Sequence, residues 1–117
     1  YGDHRDLHLS IRRQRQMCIR DRSYLGEADP RHPLASALYA ELHDLPPLLI
    51  HVGSAETLLD DSTRLAVLAE DSGVDVTLKI WDDMVHVWQI FASVLPEGQQ
   101  SIEESGQFIH ERLGRVF

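Results

Sequence analysis

Cysteine is almost absent, with Cys18 the single one in 117 residues. One thiol cannot build an intrachain disulfide, a four-cysteine zinc site or a C-x-x-C redox pair. Long apolar runs are missing as well. No stretch approaches the roughly 18 residues of a membrane span. The sequence opens on Asp3, His4, Arg5 and Asp6, where a secretory leader would be apolar. Together these absences set the expectation of a cytoplasmic protein with no membrane span.

What is present fits one small domain with a modest core. The net charge of −8 is unevenly distributed. Residues 1–22 carry six arginines against three aspartates, while residues 23–117 carry five basic side chains against sixteen acidic ones. So acidic a body repels nucleic acid and anionic lipid. The basic arm has neither aromatic interleaving nor a repeated helical stripe, and Arg15-Gln-Met-Cys-Ile-Arg-Asp-Arg22 resembles a translated sequencing adaptor. Residues 1–22 are therefore expected to be a non-native or disordered arm, and residues 23–117 the folded portion. A nucleic-acid-binding arm is the alternative.

From Tyr24 onward the punctuation is regular. Asp29-Pro-Arg-His-Pro33 predicts a loop, and Leu34 to Leu42 has room for one short helical turn before the loop resumes at His43 and Asp44. Pro47 to Gly53 is a short apolar run ended by glycine, the pattern of a strand covered on both faces in a parallel sheet. Leu58, Leu59, Thr63, Ala66, Val67 and Ala69 then supply a helical face, with Asp60, Asp61 and Ser62 as caps and dipole partners and Gly73 closing the helix. Val74 to Trp81 alternates and is rich in β-branched residues, which predicts a second strand. After Pro96, Ile102, Gly106, Ile109 and Leu113 predict the inner stripe of a last helix. The fold class is α/β: two parallel strands, a crossover helix and a terminal helix.

In such units chemistry collects beyond the carboxyl ends of the strands. Glu56 lies in the loop after the first strand and His86 in the loop after the second. A carboxylate and an imidazole on one sheet edge are two thirds of a hydrolase triad: the imidazole takes a proton from a serine hydroxyl, and the carboxylate fixes its tautomer and stabilises its cation. Asp60 is the fallback acid. His4, His8, His32, His43, His51 and His110 lack a paired acid loop and are read as ordinary surface or strand residues. Ser36, Ser54, Ser62 and Ser72 are read as turn and cap residues. Val87 and Trp88 are candidate walls of a substrate pocket, while Met84, Ile90 and Phe91 are expected to pack the core.

Several linked blocks now carry a family resemblance. Tyr24-Leu-Gly26 with Asp29-Pro-Arg-His-Pro-Leu-Ala-Ser36, Leu45-Pro-Pro-Leu-Leu-Ile50 with Val52-Gly-Ser54, Leu58-Leu-Asp-Asp-Ser62, Gly73-Val-Asp-Val76 and Met84-Val-His-Val87 occur in order. In these blocks residues 23–117 resemble the C-terminal part of the hormone-sensitive-lipase-like (bacterial family IV) esterases of the α/β-hydrolase fold. The resemblance implies that Glu56 is the triad acid, His86 the general base and a short-chain ester the small-molecule substrate. Two departures stand out: the family more often has aspartate at the acid, and proline where this chain has Val85. Serine acyl transfer needs neither cofactor nor metal, so none is implied.

The serine and oxyanion parts do not appear. The chain contains no G-x-S-x-G elbow and no His-Gly-Gly loop, so it is expected to be inactive alone, the nucleophile lying on other sequence. A catalytically inactive hydrolase-like binding protein is the rival reading, and a small nucleic-acid-binding module the more distant one.

Overall fold

The computed structural model describes residues 19–114; residues 1–18, with Cys18 and most of the basic arm, and residues 115–117 lie outside the described residues. Residues 19–25 are helical, and the expected arm boundary between 22 and 23 falls inside that segment. Gly26, at φ +56°, closes it by donating its amide to the Arg22 carbonyl at 2.9 Å. The loop that follows is a chain of local turns. Asp29 Oδ1 accepts the Arg31 amide at 2.9 Å and His32 Nδ1 accepts the Leu34 amide at 3.1 Å. A single 3₁₀ turn, Ala37–Tyr39, sits where one short helical turn was expected.

Strand β1 (Leu48–Gly53) pairs in parallel with β2 (Val76–Trp81), in register from Leu48 opposite Val76 to Gly53 opposite Trp81. Parallel neighbours require a crossover, supplied by helix α1 (Leu59–Asp71). Leu42, Ala69 and Val74 form a buried cluster, packed by Ala40, Leu48, Leu65 and Val76. Gly73, at φ +85°, ends α1 in the left-handed conformation that glycine adopts without a Cβ clash.

Three helix expectations need correction. The N-cap of α1 is Leu58 and makes no side-chain cap bond; Asp60 and Asp61 fall inside the first turn, where they face the helix dipole but do not cap. The inward face of α1 runs through Leu65, Ala66 and Ala69, and Val67 is exposed. The largest change is in helix α2 (Pro96–Leu113), where Ile102, Gly106, Ile109 and Leu113 all face outward. Its buried positions are Gly98 and Ser101. Close approach selects that face: a Cβ on Gly98 would lie 3.0 Å from the Ala92 Cα and 3.2 Å from the Trp88 carbonyl oxygen. Small side chains let α2 settle against the 3₁₀ turn Trp88–Phe91, and the apolar stripe is left outside.

Candidate active site

Both strands end at one edge, and their loops are tied together before any functional side chain is considered. Ser54 Oγ accepts the Asp83 amide at 2.8 Å, and the Ala55 amide donates to the Met84 carbonyl at 3.2 Å. The loops pass so closely that a Cβ on Gly53 would sit 1.9 Å from the Met84 carbonyl oxygen. Only glycine fits there.

On this double loop Glu56 is held at two points. Its Oε2 accepts the Gly53 amide at 2.8 Å, and its Oε1 lies 3.2 Å from His86 Nδ1. The two side chains differ sharply in exposure, Glu56 at 6% and His86 at 57%. A carboxylate fixed by a backbone N–H and shielded from water holds its geometry, while the imidazole beside it stays accessible. Engagement at Nδ1 leaves Nε2 as the nitrogen for proton exchange. Asp60, the fallback acid, is exposed in the first turn of α1, and the ion-pair partner of His86 is Glu56.

The histidine loop is bracketed by strained backbone. Asp83 and Val87 adopt φ +59° and +57°. Aspartate enters the left-handed region with some ease, but a β-branched residue there is an outlier of the kind that concentrates at functional sites. Val87 is exposed beside His86. Trp88, expected at a pocket wall, is instead 1% exposed, with its indole N–H donating to the Glu97 carbonyl at 3.2 Å and its ring tilted on Trp81. Ile90 and Phe91, expected in the core, are exposed, and Trp88 is the buried residue of that turn.

Two contributions escape sequence reading. The closeness of Gly53 to Met84 is one, since only strand-ending glycine is visible in the sequence. The other is His51, whose side chain is buried under the sheet with Ser101, Gln89 and Glu104 around it. His43, by contrast, pairs with its sequence neighbours Glu41 and Asp44.

Comparison with known proteins places this chain in a family. A model of the alpha/beta hydrolase fold matches residues 4–90, a span that includes part of the basic arm. The acetyl-hydrolase of Streptomyces hygroscopicus is 44% identical over 110 residues, which is 94% of this chain and 36% of that protein. Among solved structures, EstE5 in a crystal soaked with p-nitrophenyl butyrate is 54% identical with a TM-score of 0.76, over 78% of this chain and 31% of that one. An esterase of the bacterial hormone-sensitive lipase family is 54% identical with a TM-score of 0.75, over 77% and 30%. The chain thus spans about a third of the length of each relative. On the matched blocks, the parallel strands and these relatives, the chain belongs to the hormone-sensitive-lipase-like esterases of the α/β-hydrolase fold.

Proposed function

We propose that this chain is the acid-and-base segment of a serine carboxylesterase acting on short-chain esters, with Glu56 as triad acid and His86 as general base. The observation that carries the reading is the two-point hold on Glu56: one oxygen on the Gly53 amide, the other on His86 Nδ1. An acid so fixed selects the tautomer that leaves Nε2 unprotonated toward a serine hydroxyl.

The reaction then has a defined proton path. His86 Nε2 takes the serine proton as the serine oxygen attacks the ester carbonyl, and Glu56 stabilises the imidazolium. The same proton passes to the departing alcohol oxygen as the acyl–oxygen bond breaks. Water then repeats the sequence on the acyl-enzyme, releasing the acid and restoring the serine. Val87 is the candidate contact for the acyl or alcohol group, a reading supported by its exposure beside His86, whereas Trp88 is buried. The butyrate ester used with EstE5 supports a short acyl chain.

The chain carries no G-x-S-x-G elbow, so by itself it is expected to be inactive. Sequencing the source DNA across and upstream of residues 1–22 tests the reading. A frame running upstream through a His-Gly-Gly-type loop and a serine elbow is expected. A genuine start within residues 1–22, with neither motif in the gene, would overturn it. The same read decides whether the basic arm is native.

A further inference from the structure

The molecule buries a histidine that the proposed chemistry does not use. His51 lies in β1, two residues before Gly53, with its side chain 7% exposed. Its Nδ1 is 2.8 Å from Ser101 Oγ, and Gln89 Nε2 donates to the same hydroxyl at 2.9 Å. Ser101 is 1% exposed. His51 Nε2 is buried without a hydrogen bond and faces Glu104 Oε2 at 3.8 Å; Glu104 is itself paired with Lys79, and the ring edge meets Trp81.

These partners assign the tautomer. A proton on Nε2 points at the Glu104 carboxylate, and the bare Nδ1 then accepts from the Ser101 hydroxyl, which in turn accepts from Gln89. Protonating Nδ1 reverses the demand on Ser101. The hydroxyl would have to take two donors and place its own proton on another acceptor. The local candidate, the Glu97 carbonyl one turn back, already accepts the α2 helix bond and the Trp88 indole N–H. Either the Gln89 amide turns over to take the hydroxyl proton on its Oε1, losing its N–H bond to Ser101, or the Trp88 N–H gives up the Glu97 carbonyl. Both belong to the 3₁₀ turn Trp88–Phe91, which begins two residues after His86.

We propose that His51 is a positioning residue for the histidine loop: as a neutral imidazole it completes the Ser101–Gln89 chain that holds the turn after His86, and its protonation breaks one of the bonds that hold that turn. The inference rests on His86 being the general base. Burial pushes the His51 imidazole below its usual 6.5, with Glu104 opposing and Lys79 reinforcing that direction. The release therefore belongs to acid pH.

Two readouts test it. On this chain, the only two tryptophans both border the network, and a protonated imidazole quenches an indole it touches. A fluorescence transition with its midpoint below 6.5 is expected, absent in His51→Gln, whose amide keeps an acceptor and a donor but does not titrate. Identical titrations of the two proteins would overturn the proposal. In the complete hydrolase, one ionisation lowers kcat roughly tenfold per pH unit on the acid side and two lower it roughly a hundredfold. The parent enzyme should reach the second slope where both groups are protonated, and His51→Gln should keep the one-proton slope. A one-proton slope in both sinks the inference and leaves the His86 assignment standing. An active His86→Ala enzyme sinks that assignment instead.

Discussion

At the carboxyl ends of β1 and β2 the polar groups find their partners within the chain: the Gly53 and Asp83 amides, the Ser54 hydroxyl, the Glu56 carboxylate and the His86 ring are all engaged. On the outer faces of the two helices the apolar groups do not. Val67 and Leu68 on α1, and Ile102, Ile109 and Leu113 on α2, are exposed. The contrast follows from range. A hydrogen bond is satisfied by one neighbour a few residues or one strand away, whereas burial needs a covering surface supplied by whole elements. A chain that matches about a third of its relatives' length can therefore hold these two loops in order while the outer helix faces stay exposed among the described residues.

If the loops are self-sufficient, changes to the side chains they present should strike activity, and changes to the backbone crossing that locks them should strike folding. Glu56→Gln in the complete hydrolase should lower kcat on the order of 10⁴-fold, as loss of a triad acid does elsewhere, with little change in Tm. A loss under tenfold would detach Glu56 from the chemistry. Gly53→Ala breaks the loop edge itself. Its Cβ would meet the Met84 carbonyl oxygen at 1.9 Å, and denaturant melts should register a cost of about 3 kcal/mol. A neutral result would mean the loops are not locked together.

The helix faces should behave in the opposite way. Ile109→Gln is expected to cost about 2 kcal/mol in a complete hydrolase in which further elements cover the face. In the isolated chain it should leave stability unchanged and reduce self-association, measured by light scattering, because an uncovered apolar patch is an aggregation surface. Equal costs in both would show that α2 is already fully packed. The smallest expected effect is Val87→Gly. Relief of the left-handed strain, offset by glycine's greater unfolded-state freedom, should raise stability by about 0.5 kcal/mol in a thermal melt while loosening the loop and lowering kcat.

This division also explains what the sequence made legible. Strands, crossover helix and the two loops beyond the strands could be read because apolar runs, β-branched alternation and glycine ends are local signals, and Glu56 and His86 were singled out from their places after those strands. The inner face of α2 could not be read. Hydrophobic periodicity chose Ile102, Ile109 and Leu113, but the observed face is set by how closely Gly98 approaches Ala92 and by a polar bond from Ser101 to His51, and neither leaves an apolar pattern. Trp88 misled for a related reason: its position beside His86 suggested a pocket, while its size and its bond to the Glu97 carbonyl take it into the core. His51 looked like an ordinary strand residue because its partners Gln89, Ser101 and Glu104 are distant in sequence.

The most direct test of the account is the turnover of p-nitrophenyl butyrate by the complete hydrolase and its His86→Ala variant, each checked for an unchanged melt. The account predicts a fall in kcat on the order of 10⁶-fold, the scale seen when a triad histidine is removed. A folded His86→Ala enzyme that retains parental kcat would contradict it.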